Sequence, residues 1–312
     1  YANRFDKDNR EHRLFSLAVM GIMVVWSTFV ESSLGDGFLY FALLYAVVRF
    51  MFALLYWNAH KVDKTELHFA KGLSLAILIG ALVSLLSVFL EGTAKFVVFY
   101  LGIVIDVLLQ FRLRDKLHNK PIDRVHFVER IGLLAIIILG ESVIAMVASL
   151  SHEHWNAFDI ASAVTGFLLI GMIWWIYFDS FPILERAKKL TTGNVLIYTH
   201  LLLCMGLLIL ANMIRHTILG DLDQATFGLL AITGLVFFYL GKQIPYWYAF
   251  PPWRRAIISN TFICVSITVA SSFLPKIEYS LIGMTLGMLV YVYLTFKRII
   301  SVNVDQYLVE EH

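Results

Sequence analysis

Glu141 is a carboxylate inside the otherwise apolar stretch VHFVERIGLLAIIILGESVIAM, residues 125–146. An acid about 15 residues into a helix of membrane-spanning length costs about 2.5–3.5 kcal/mol if left in lipid, so it is expected to face protein or water. Two uses are open to it there: binding a proton or a cation, or holding two helices together through a hydrogen bond. Gly140 is expected to give a neighbouring backbone room to approach, and Ser142 adds a hydroxyl. At 100° per residue Arg130 and Glu141 return to within about 20° of one another, so they share a helix face, about 16 Å apart and too far for an ion pair. Glu129 lies about 100° around the axis from Arg130. Glu141, Ser142, Arg130 and Glu129 therefore read as a polar lane along one side of a helix.

A second constellation joins Arg49 and Asp106, each past the middle of its own apolar run. A mutual ion pair is the least costly way to keep both in a membrane, and Gln110, four residues after Asp106, could complete it. That pair is either a static structural contact or a gate that breaks during a cycle. His200 could titrate near neutral pH or serve as an interhelical donor. Asp179, following Trp174, Trp175 and Tyr177, is a further acid at an aromatic interface. Other signals are weaker. His152-Glu153-His154 is not HExxH, because its i, i+2 spacing points the imidazoles apart, so no metal site is expected. Gly283 and Gly287 form a GxxxG that reads as close packing within the bundle. The run Asn260, Thr261, Ser266, Thr268, Ser271 and Ser272 fits either packing or the lining of an aqueous path. No phosphate-cradling loop, nucleophile elbow or basic-aromatic nucleic-acid surface is present, and no cofactor is expected.

The chain around these residues is 59% hydrophobic and 15% charged. A soluble domain carries about 25% charged residues, so the composition is that of an all-α polytopic membrane protein. About 20 apolar residues cross a bilayer core as a helix, and ten such runs are predicted: residues 14–30, 38–57, 72–90, 96–111, 127–150, 157–178, 195–214, 226–241, 256–274 and 279–296. The two-residue alternation of a barrel is absent. All six prolines are placed in loops or at helix ends, and Cys204 and Cys264 read as small apolar residues. On this topology the terminal segments and loops of one side carry 20 of the 25 Lys and Arg, and those of the other side carry 3; Arg49 and Arg130 lie within spans. The imbalance places both ends of the chain in the cytoplasm. The basic segment Arg112, Arg114, Lys116, Lys120 and Arg124 belongs to that signal and could touch anionic headgroups.

Short matches recur in order along the chain. Arg4-Phe5-Asp6 resembles Tyr177-Phe178-Asp179, Tyr56-Trp57-Asn58-Ala59 resembles Tyr246-Trp247-Tyr248-Ala249, and Gln110-Phe111-Arg112 resembles Thr295-Phe296-Lys297. They predict a parallel tandem six-helix repeat whose first two helices precede Tyr1. The domain reading is a partial first repeat over 1–112, a cytoplasmic basic loop over 113–125 and a second repeat over 126–312.

His126-Phe127-Val128-Glu129-Arg130 with Leu139-Gly140-Glu141-Ser142-Val143-Ile144 resembles the signature of the bacterial low temperature requirement A (LtrA) family. Tyr1-Ala2-Asn3-Arg4-Phe5-Asp6 and Trp174-Trp175 with Tyr177-Phe178-Asp179 are similar to further family segments. The resemblance implies a multipass bacterial plasma-membrane protein associated with growth in the cold, without a settled activity. The reading adopted is a transporter or channel for a small solute or ion with Glu141 as coupling acid. Two alternatives stand beside it. One is an intramembrane enzyme for a lipid or isoprenoid, with Glu141 or Asp106 as acid or base and Arg124 or Arg130 on a phosphate. The other is a non-catalytic membrane sensor or assembly factor. The expected partners are membrane lipids and the solute, with no nucleic acid; homo-oligomerisation is open.

Overall fold

The computed structural model describes residues 1, 3, 10–62, 68–113, 122–150, 157–185, 187, 190 and 193–301. Among them there are ten α-helices and no strand, divided between two units, Tyr1–Asp123 and Arg124–His312. A helix satisfies its own backbone, which is the requirement that lipid imposes on any spanning segment.

The first unit holds α1 (Arg10–Ser27), α2 (Phe38–Val62), α3 (His68–Leu86) and α4 (Gly92–Arg112). Helix α3 is flanked by α2 and α4, while α1 lies along α2 without burying a residue. Small residues let the helices close up. A Cβ added at Gly102 would sit 2.6 Å from the Gly80 carbonyl oxygen, and one added at Gly80 would sit 2.8 Å from that of Gly102. Ser74 donates to the Ala53 carbonyl at 2.7 Å and Ser84 to that of Phe99 at 2.8 Å, so hydroxyls of α3 bond to both neighbours.

The second unit holds α5 (Arg124–Ser149), α6 (Ala157–Glu185), α7 (Asn194–Leu219), α8 (Gln224–Ala249), α9 (Arg254–Ser271) and α10 (Ile277–Thr295), the last running into a π-turn, Phe296–Ile300. Helices α7 and α8 form a hairpin. Gly220 ends α7 at φ 69°, in the left-handed region that glycine enters without steric cost, and the Asp223 carboxylate caps α8 by accepting from the amides of Ala225 and Thr226. Their backbones then touch at Gly206 and Gly241. A single core, including Leu169, Leu203, Phe238 and Met284, runs through the unit. Leu133, Ile137 and Ile144 remain exposed on α5, the outward apolar face of a membrane helix.

Eight of the ten helices are long and apolar enough to cross a membrane. The two others are α1, which starts Arg10-Glu11-His12-Arg13, and α9, diluted by two arginines, Asn260 and several hydroxyls. The structure corrects two local expectations. Helix α8 does not stop at Gly241 but continues through Pro245 to Ala249, and α6 continues through Pro182 to Glu185. Both prolines fall in the last two turns, where a lost amide and a local bend disturb little of the helix. Gly140 has no neighbour within 4 Å of an added Cβ and so supports no close helix contact. Gly283 and Gly287 pack on Ser271 and Ile267 of α9.

Candidate functional site

Helix α5 presents Glu141 to a cleft of about 150 Å³ shared with α7, whose lining includes Ile138, Ser142, Ala145, Asn212 and Arg215. Glu141 is exposed along this cleft rather than enclosed by packing, and among the described residues it makes no hydrogen bond or ion pair. Ser142 is buried, its hydroxyl donating to the Ile138 carbonyl at 2.8 Å. Asn212 and Arg215, three residues apart, share one face of α7 and supply an amide and a cation to the opposite wall. Neither is singled out by the sequence, in which Arg215 reads as a loop residue. Arg130 and Glu129 lie exposed nearer the start of α5, and Glu129 pairs with His126 at 3.7 Å. The structure therefore brings Glu141 and Ser142 together with α7, while Arg130 and Glu129 do not line the cleft.

In the first unit Arg49 of α2 and Asp106 of α4 form an ion pair, and Gln110 donates to Asp106 Oδ1 at 2.9 Å. The Asp106 side chain is 5% exposed and that of Arg49 22%. Gly80 of α3 makes room for this arrangement, since a Cβ there would lie 2.5 Å from the Asp106 Cβ.

The second unit has a polar interior of its own. His200 of α7 is buried, with Nδ1 at 2.8 Å from the Leu196 carbonyl and Nε2 without a partner among the described residues. The Tyr177 ring stands edge-on to it at 6.1 Å, and the Tyr177 hydroxyl also lacks a partner among them. Asp179, exposed one turn after Trp175, accepts from the indole Nε1 at 2.7 Å, which fixes an aromatic side chain at the surface. Lys242, placed by sequence in a loop, is instead buried within α8, with its ammonium 5.0 Å from the Tyr246 ring centre and 5.9 Å from that of Tyr291. Thr268 and Ser271 on α9, and Ser272 just past its end, donate to carbonyls one turn back, which accounts for much of that helix's polarity.

Among the described residues no group of three His, Cys, Asp or Glu could hold a metal ion. His152-Glu153-His154, Arg4-Phe5-Asp6, Arg114, Lys116 and Lys120 lie outside the described residues. A family model described as bacterial low temperature requirement A protein (LtrA) matches residues 1–294. No curated protein and no solved structure matches the chain.

Proposed function

The chain belongs to the bacterial low temperature requirement A (LtrA) family, and from that premise we propose that this multipass membrane protein is a carrier or channel for a small solute or ion, with Glu141 as the group that binds a proton or cation. The observation that carries the reading is the cleft in which Glu141 of α5 faces Asn212 and Arg215 of α7. On insertion scales an acid at the centre of a span costs about 2.5–3.5 kcal/mol, and a polar cleft shared with Asn212 and with Arg215, near the C-terminal end of α7, lowers that cost for Glu141. Proton binding to Glu141 removes its negative charge and leaves that of Arg215 uncompensated, so the net charge of the cleft changes by one with each proton. A solute whose binding depends on that charge would be coupled to the proton. Arg130, Glu129 and His200 are further polar groups of this reading, and Asp179 is an additional acid to test.

The Lys and Arg imbalance supports an orientation with both ends of the chain in the cytoplasm of a bacterium. The ordered short matches support a parallel six-helix repeat. One feature favours lipid contact instead: an apolar cleft of about 460 Å³ between α8 and α9, lined by Leu240, Trp247, Ile258 and Phe262 among others. Among the described residues its lining contains no carboxylate, His, Cys, Lys or Arg, and Tyr239 is its one titratable side chain, so it offers an acyl chain a seat with little acid–base equipment. Transport is the reading we retain.

Reconstitution in liposomes tests it. Proton-driven uptake across a panel of small solutes and ions is expected for the wild type and is expected to fall to background in Glu141→Gln. Flux unchanged in that variant would remove Glu141 from the mechanism, and lipid turnover without flux would replace transport with catalysis.

A further inference from the structure

We propose that the small cavity lined by Lys242 binds a monatomic anion of the size of chloride. This site goes beyond the Glu141 cleft and does not depend on the transport reading.

Three observations carry it. First, Lys242 is 5% exposed, and among the described residues it has no carboxylate partner and no hydrogen bond. Its companions are the rings of Tyr246 and Tyr291. Aromatic faces stabilise a cation but supply no opposite charge, so an anion beside Lys242 would favour the protonated side chain over the neutral one that burial alone favours.

Second, most other polar groups of the wall are already committed to one another, which leaves one buried amide donor of the wall without a partner among the described residues. Asn260 of α9 is 0% exposed. Arg298 Nη1 donates to its Oδ1 at 3.0 Å, and because a guanidinium only donates, this contact fixes which end of the amide is the oxygen. Asn260 Nδ2, the end that is left, has no partner among the described residues. Gln243 is likewise committed, with Nε2 donating to the Tyr291 hydroxyl at 2.8 Å and Oε1 accepting from Thr261. The Tyr246 hydroxyl donates to the Ser180 carbonyl at 2.8 Å. Lys242, Asn260 and Thr295 therefore line one small space. Among the described residues no acid lines it, so a protonated Lys242 meets no opposite charge there.

Third, size selects among anions. The space is about 20 Å³, and roughly 10–15 Å³ of such volume is needed for one water molecule. A single chloride or bromide fits with small adjustments of the walls. A tetrahedral oxyanion or a carboxylate requires the helices to separate.

The test uses the purified full chain in nanodiscs. At constant ionic strength, replacing gluconate by chloride or bromide is expected to raise Tm saturably by a few degrees, because a ligand that binds only the folded state stabilises it by mass action. Sulfate and phosphate are expected to produce no saturable step. Lys242→Met, which removes the charge at similar length, is expected to abolish the halide step, while Glu141→Gln keeps it and so separates this site from the proposed transport acid. Should Lys242→Met fail to fold, ³⁵Cl line broadening by the wild type, reversed by bromide, reads the same site directly. A wild type without a halide step, a step of equal size in Lys242→Met, or the absence of bromide-reversible broadening overturns the proposal.

Discussion

Neutralising Arg49 should damage the first unit more than neutralising Asp106, and the two changes together should damage it less than the first alone. The reason is the asymmetry of burial within the ion pair, 5% exposure for the Asp106 side chain against 22% for Arg49. Arg49→Met leaves a carboxylate enclosed by α2, α3 and α4, with Gln110 Nε2 as its only hydrogen-bond donor among the described residues. Breaking a buried pair in this way costs about 3–5 kcal/mol. Asp106→Asn keeps an oxygen for Gln110 and leaves Arg49, the more exposed member of the pair, so a smaller cost of about 1–3 kcal/mol is expected. In Arg49→Met/Asp106→Asn no charge is stranded, and stability should return to within about 1–2 kcal/mol of the wild type. Denaturant titration of the four proteins in one detergent measures the cycle, with coupling energy as the readout. Equal costs for the two single variants, or additive costs in the double variant, would refute the assignment of the Asp106 charge as the costly member. Transport by the double variant separates a static pair, which leaves flux intact, from a gate that must form and break.

Glycines offer a paired comparison. Gly241→Ala places a Cβ 2.4 Å from the Leu203 amide nitrogen and 2.6 Å from the Thr199 carbonyl oxygen, so α7 and α8 must separate, at about 1–3 kcal/mol; Gly140→Ala meets nothing within 4 Å and should be neutral or stabilising by up to about 1 kcal/mol. Melting temperatures of the two variants check this, and a destabilised Gly140→Ala would mean that something covers α5. Asp223 is held below the ordinary carboxylate value of 3.8, first by the Thr226 hydroxyl and then by the Thr226 amide. A lowered folded-state value means that the cap's contribution is full above pH 3.8 and disappears as pH falls through the folded-state value. The Tm difference between wild type and Asp223→Ala should therefore be constant near neutrality and shrink in acid; a difference that grows in acid would reverse the sign.

The helical, membrane-spanning character of the chain is legible in the sequence because lipid imposes one rule everywhere: a run such as residues 38–57 must be apolar throughout and must satisfy its own backbone. Helix neighbours follow no such rule. The contact between α5 and α7 skips α6, and nothing in the period of either helix announces it. Lys242 and Arg215, which the sequence places in loops, share a single cause. Reading topology from Lys and Arg treats each as a label for a loop, so an apolar run is closed at the first basic residue, at Gly241 before Lys242 and at Ile214 before Arg215. In the structure both helices continue past those points, to Ala249 and Leu219. Lys242 then faces Tyr246 and Tyr291, and Arg215 shares the Glu141 cleft. The residues immediately C-terminal to each cation signal the extra turns. Gln243-Ile244-Pro245-Tyr246-Trp247-Tyr248 carries aromatics that pack as well in a helix as in a loop, and His216-Thr217-Ile218-Leu219 ends at a glycine suited to a helix C-terminus. A basic residue succeeded by a further apolar or aromatic turn and then a helix stop is thus a cation inside a helix, and in a membrane protein such a cation needs a partner. Arg215 shares a cleft with Glu141, and Lys242 shares a small cavity with Asn260, so the second unit holds two separable questions about binding.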